Sequence, residues 1–241
     1  MLNVLIPMAG DGKRFADAGY NVPKPLIDMN GKPMIQRAVE TLGLPGRYLF
    51  AIRRYEQEAW RDNLRSILQQ ITKDPIILEL NVLTQGCACT CLLLQGSINN
   101  DDPLVIANCD QVMSWDASKF ESFVSKGDFD GCVVTYKKST PKNSYVKLGD
   151  DGYAVEFAEK KVISEHSLNG IHYWRRGSDF VKSTKAMIAK NIRTNNEFYI
   201  APTYNELIPA GKKIVSYEIG MEEHHAVGTP EDLAAYMGRS A

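Results

Sequence analysis

Leu2-Asn3-Val4-Leu5-Ile6-Pro7-Met8-Ala9 runs without a break into Gly10-Asp11-Gly12-Lys13-Arg14-Phe15, and Pro23-Lys24-Pro25-Leu26 and Gly31-Lys32-Pro33-Met34-Ile35 follow. The apolar run predicts a buried strand, and the glycines that end it predict a turn. Glycine has no Cβ, so backbone N–H groups in such a turn approach an anion closely. Arg14 and Lys24 add permanent positive charge beside it. The block reads as a cradle for a triphosphate.

Two better-known phosphate patterns are excluded. The dinucleotide fingerprint needs glycine where Phe15 stands, and the P-loop string G-x-x-x-x-G-K-[ST] does not occur. The full combination, G-x-G-x-R-F with P-K-P-L and G-K-P-M-I, resembles the nucleotidyltransferase family that makes nucleotide-activated sugars and related small phosphates. The resemblance implies attack by an acceptor phosphate oxygen on the α-phosphorus of a nucleoside triphosphate, with pyrophosphate released. A phosphate monoester is already largely dianionic at neutral pH, so alignment and charge stabilisation matter more than a general base.

Composition agrees with such an enzyme. The 241 residues allow one large α/β domain or two small ones, and 44% hydrophobic with 24% charged residues is ordinary for a globular chain. A net charge of −1 argues against a nucleic-acid partner. The chain has no apolar run long enough for a membrane span and no basic leader, so a cytoplasmic protein is expected. Cys87, Cys89 and Cys91 alternate, without the paired spacing of structural zinc sites, and read as small packing residues of a helix.

Strand-like and helix-like stretches alternate: helix at 34–42, strand at 47–52, helix at 55–71, strand at 75–80, helix at 87–98 and strand at 104–107. This order predicts an α/β fold with a mainly parallel, Rossmann-like sheet covered by helices on both faces. Ligands would bind beyond the carboxyl ends of the strands, near Gly10 and Asp110. Further strands are expected at 131–136, 145–148, 153–157, 168–174 and 213–217, with helices at 178–190, 201–207 and after Pro230. One domain over 1–241 is expected. Its nucleotide-binding half would span about 1–130, and its acceptor-binding half, about 131–241, would carry a small β lobe.

The resemblance carries residue roles with it. It implies that Arg14 contacts the β- and γ-phosphates and Lys24 the α-phosphate and the acceptor. Both could instead be solvated cations. The two prolines around Lys24 predict an extended backbone there, and Lys13 reads as a surface residue. Met8, Ala9, Gly10, Gly12 and Asn108 belong to the implied nucleotide site. Thr84-Gln85-Gly86-Cys87-Ala88 resembles the family's base-recognition segment, with Gln85 and Gly86 as contacts; an amide pairs with any base, and helix capping is the plainer alternative. Asp110 closes an apolar strand, a usual place for a Mg²⁺ ligand or for a turn aspartate. The family usually has Gly-Asp where this chain has Cys109-Asp110.

For the acceptor, Val155 to Lys160, one residue shorter, resembles the family stretch V-x-x-x-x-E-K, which implies Glu159 on the acceptor's polar groups and Lys160 on its phosphate; hairpin-tip charges are the alternative. Asn169 and Gly170 resemble the neighbouring strand. His224-His225-Ala226-Val227-Gly228-Thr229-Pro230 resembles W-x-D-V-G-T-P, so the family's second metal aspartate falls on Ala226. Glu222, Glu223, His224 or His225 would have to replace it, or one carboxylate suffices; His225 is equally an acceptor contact. The expected partners are a nucleoside triphosphate (a pyrimidine slightly favoured) and a small phosphorylated acceptor, with no membrane, and a homo-oligomer is compatible. The expected product serves surface polysaccharide. Two alternatives stand beside this reading. A glycosyltransferase would want D-x-D, of which Asn108-x-Asp110 is a degenerate form, and an inactive nucleotide-binding regulator would explain Ala226.

Overall fold

Val4, Leu5 and Ile6 are buried on both sides of strand β1 (Asn3–Met8), as an unbroken apolar run requires. The computed structural model describes residues 1–239. Strands β2 (Arg47–Arg53), β3 (Ile76–Leu80) and β4 (Leu104–Ala107) run parallel with β1. The sheet continues through β9 (His166–Trp174), β6 (Gly131–Lys137) and β10 (Ile214–Glu218), in the order β3-β2-β1-β4-β9-β6-β10. Only β9 opposes its neighbours along this row. Strands β7 (Ser144–Leu148) and β8 (Ala154–Glu159) form a hairpin on the end of β9. The mainly parallel α/β sheet expected from the alternation is therefore the fold.

Successive β1 side chains alternate between two cores. Val4, Ile6 and Met8 pack with Ile35, Val39 and Leu42 of α2 (Met34–Leu42), with Leu64 and Leu68 of α3 (Glu58–Ile71) and with Phe120 of α6 (Ala117–Lys126). Leu5 packs on the other face with Ala88 and Cys91 of α4 (Cys87–Leu92), Ile98 of α5 (Gln95–Ile98) and Phe180 of α7 (Gly177–Ala189). Gly43, at φ 65°, stops α2 in the left-handed geometry that a helix end often needs.

A third, smaller core matters most for the site. Phe15 of α1 (Lys13–Asp17) packs with Ile27, Met29 and Met34, with Val112 of β5 (Gln111–Met113), with Val227, and with Leu233 of α8 (Pro230–Arg239). Strand β5 pairs antiparallel with β11 (His224–Ala226). The glycine turn, the Pro23–Leu26 segment and the chain near Gly228 are thereby tied to one apolar plug.

Several expectations need correcting. The helix expected over 87–98 breaks between Leu92 and Gln95, and the one expected over 201–207 is a 3-10 segment, Ala201–Glu206. Lys24 lies in a 3-10 turn, Lys24–Leu26, closed by the Leu26 N–H to the Pro23 carbonyl at 2.8 Å; the extended residue is Pro23, at φ −54° and ψ 140°. Turn hydrogen bonding overrides the local preference of a residue before proline.

Candidate active site

A cleft of about 460 Å³ opens at the carboxyl ends of β1 and β4. Met8, Ala9, Gly10, Gly12, Arg14, Lys24, Gly86, Asn108 and Asp110 all line it, so most of the expected nucleotide and catalytic residues converge. Lys13 also reaches the rim, while remaining solvent-exposed. Gly12 sits at φ 66° against Lys24 and caps α1. Around Gly10 nothing lies within 4 Å of where a Cβ would stand, which leaves room for a ligand to reach the backbone.

Lys24 and Asp110 face each other across the cleft as an ion pair, with side chains 19% and 27% exposed. Burial opposes the Lys24 charge, but Asp110, through proximity and a hydrogen bond, more than offsets it and holds the ammonium pKa above its ordinary value. The Asp110 carbonyl accepts from the Val227 N–H at 2.9 Å. A Cβ on Gly228 would come within 2.8 Å of the Asp110 carboxylate, so glycine there gives that carboxylate its room.

Ala226 pairs with Gln111, the residue after Asp110, and is exposed. The position of the family's second aspartate therefore lies one rung from the first. The neighbouring side chains have other partners. Glu223 accepts from the Gly220 N–H at 2.8 Å, and His224 packs on Tyr136 at 4.7 Å between ring centres. Burial, with His225 adding to it, lowers the His224 pKa to about 4. His225 Nε2 lies 3.0 Å from Ser114 Oγ. Among the described residues no three His, Cys, Asp or Glu side chains cluster as a metal cage.

The remaining expected residues lie outside the cleft lining. The Gln85 side chain is turned onto Arg193. Glu159 accepts from Ser144, and burial raises its carboxyl pKa. Lys160, left-handed at φ 54°, donates to the Tyr199 hydroxyl at 2.5 Å. Asn169 is 4% exposed and its Oδ1 accepts from the Ile171 N–H. Gly170, at φ 101°, is pressed against the Asn108 amide, where a Cβ would come within 2.1 Å. The acceptor-side residues thus form a second group that meets the cleft at Asn108 and, through Tyr199, beside Glu197, which lines it. Arg193, Glu197 and Tyr199 were not legible in the sequence. They stand more than a hundred residues from Gln85, and the only local signal is the Asn-rich turn around them.

The model of the nucleotidyl transferase family matches residues 3–233, and the chain belongs to that family. Its relatives include the catalytic subunit beta of mannose-1-phosphate guanylyltransferase from Danio rerio, 24% identical over 71% of this chain and 49% of that protein. A mannose-1-phosphate guanyltransferase from Yarrowia lipolytica is 26% identical over 66% of this chain and 44% of its own length. The chain thus spans about half the length of each. Among solved structures, a nucleoside-diphosphate-sugar pyrophosphorylase from Vibrio cholerae RC9 superposes with a TM-score of 0.83 at 24% identity, over 98% of this chain and 99% of that one.

Proposed function

We propose that this chain joins a nucleoside triphosphate to a small phosphorylated acceptor, most simply a sugar phosphate, giving an NDP-linked product and pyrophosphate. The observation that carries this reading is the Lys24–Asp110 pair facing the glycine turn at the mouth of the parallel sheet. An acceptor phosphate oxygen forms the new bond to the α-phosphorus as the α–β bridging P–O bond breaks and pyrophosphate takes the electron pair. Lys24 holds the α-phosphate and the incoming phosphate together, and Arg14 neutralises the departing phosphates. The Gly10–Gly12 backbone cradles the triphosphate, and Glu159, Lys160, Asn169 and Gly170 receive the acceptor.

The donor set fits Mg²⁺, which commonly takes one or two carboxylates and leaves its other positions to phosphates and water. Asp110 would hold it alone, and the ion would supply charge neutralisation at the reacting phosphates. A phosphate bound beside Lys24 would compete with Asp110 for the ammonium and so leave the carboxylate to the cation. A product destined for surface polysaccharide and a cytoplasmic setting belong to the same proposal.

The test is pyrophosphate release from ATP, CTP, GTP, UTP and dTTP against a panel of hexose, heptose and small-alcohol phosphates. Release with one pair is the expected result. Sugar transfer from an NDP-sugar without pyrophosphate would replace this reading with the glycosyltransferase. Tight nucleotide binding with no turnover on any acceptor would leave a regulator.

A further inference from the structure

Two successive residues, Phe198 and Tyr199, tie the 191–199 loop to opposite sides of the site. Phe198 is buried on the nucleotide side, where its N–H donates to the Gln85 carbonyl at 2.8 Å and its carbonyl accepts from the Ala88 N–H at 3.0 Å. Tyr199 is held between Phe198 and Ile200, both buried. It turns to the acceptor side. There its hydroxyl accepts from Lys160 Nζ at 2.5 Å, and the same ammonium lies 4.6 Å from the centre of its ring. Lys160 is half-buried and its backbone is pinned, left-handed at φ 54° with its N–H donating to the Asn143 carbonyl at 2.9 Å. A solvated charge at a hairpin tip would need none of these contacts.

A lysine ammonium sits on a flexible four-carbon stem, and a ligand that binds it must otherwise bear the cost of ordering that stem. The Tyr199 contact removes the freedom in advance and takes one N–H of three, which leaves two for a phosphate. Burial, and then the Glu197 carboxylate beside it, raise the Tyr199 pKa. The group therefore stays a neutral hydroxyl, able to accept from Lys160 and to keep its own proton for Glu197, a residue of the cleft lining. We infer that Tyr199 is a positioning residue: anchored from the nucleotide side, it holds the Lys160 ammonium ready for the acceptor's phosphate and so fixes the spacing of the two substrates. The inference rests on the acceptor role proposed above for Lys160.

The test reads lysine reactivity and needs neither nucleotide nor turnover. The intact chain and Tyr199→Phe, which keeps the ring and removes only the hydroxyl, are acetylated with limiting acetic anhydride, and each lysine is scored by mass spectrometry. Lys160 should react about fivefold faster in the variant, on the scale of one lost hydrogen bond to a charged group. Inorganic phosphate, standing in for the acceptor's phosphate, should protect Lys160, and half-protection should need about tenfold more phosphate in Tyr199→Phe. Protection of Lys24, at the other phosphate site, should shift by less than about twofold. A tyrosine that only packed the loop would lower the melting temperature without separating the two lysines. In pyrophosphate release, the variant should raise the acceptor KM about tenfold, with kcat and the nucleotide KM within about twofold. On a Lys160→Met background the same change should add under about twofold, because the tyrosine acts through that ammonium. Unchanged Lys160 reactivity, no protection of Lys160 by phosphate, equal shifts at Lys24 and Lys160, or a KM loss that persists without Lys160 overturns the inference. A protection shift confined to Lys160, with no pyrophosphate release from any substrate pair, would sink the turnover reading and leave this one standing.

Discussion

On the proposed reading, Asp110 and its immediate neighbours decide how a cation would be held. The Gly228 position allows no side chain without moving the Asp110 carboxylate, since a Cβ would stand 2.8 Å from Oδ2. Gly228→Ala should therefore fold normally, because the atom displaced is the end of a side chain, but release pyrophosphate about tenfold more slowly; misplacement of a reacting group by a fraction of an ångström costs that much. Unchanged turnover would mean that the carboxylate's position is not critical. Ala226→Asp tests the same site from the other side. The residue is exposed and one rung from Asp110, so an added carboxylate would be available to a Mg²⁺ ion held by Asp110 and should lower the Mg²⁺ needed for half-activation severalfold. Single alanine variants at Glu222, Glu223, His224 and His225 should leave that Mg²⁺ requirement within about twofold. A tenfold rise in any one of them would reveal a relocated second ligand and refute the single-carboxylate site. At this scale the sequence was informative where chemistry is local: the glycine turn, Arg14, Lys24 and Asp110 lie within short motifs. It was silent on the Lys24–Asp110 pairing, which joins residues 86 apart in the chain.

Among the elements, most of the long ones were legible and the short ones that shape the cleft were not. The bounds of α2 follow from apolar periodicity and those of β4 from an unbroken apolar run, and both match the expectation. Strands β5 and β11 have three residues each, too few for any period to register, and they exist because they pair with each other over the Phe15 plug. α1, with five residues, is also short; α6, with ten, was not expected either, although its Asp116 N-cap, which accepts from the Ser118 N–H at 3.1 Å, is a usable signal. The loop carrying Arg193 is held by its own Thr194–Glu197 hydrogen bonds and by its contacts with the Gln85–Ala88 segment. It meets α4 at Gly86, which has φ 127° and would drive a Cβ to within 2.5 Å of the Phe198 backbone. Both obstacles are backbone, so nothing can yield cheaply. Gly86→Ala should cost at least about 2 kcal/mol of stability from strain and overlap together. It should also make the 191–199 loop more accessible to limited proteolysis than the rest of the chain. Wild-type urea stability with unchanged proteolysis would show that the loop re-docks around the methyl group.

At the level of the whole molecule, the two halves expected on either side of residue 130 interleave within one sheet. β9 lies between β4 and β6, so His172 faces Ile106 on one side and Val133 on the other, at the seam of the halves. Its ring lies nearly parallel to Trp174 and Tyr204, at 6.1 and 6.0 Å between centres, and Nδ1 is buried without a hydrogen-bond partner among the described residues. Burial lowers the His172 pKa to about 3 from an ordinary 6.5. The ring is therefore neutral in the fold, while the unfolded chain takes up a proton below pH 6.5. Stability from this residue is complete above pH 6.5 and is lost as pH falls towards 3, because the unfolded state binds more protons throughout that window. At pH 5.0 the unfolded chain has gained about 2 kcal/mol from this one group. His172→Phe keeps an aromatic ring in the stack and removes the titration, and the other histidines titrate alike in both chains. Urea unfolding at pH 7.5 and 5.0 should show a loss on acidification about 2 kcal/mol smaller in the variant than in the wild type. Equal losses in the two chains would mean that the seam opens enough at pH 5.0 to protonate His172 in the folded state, and that the halves are less firmly joined than their shared strands indicate.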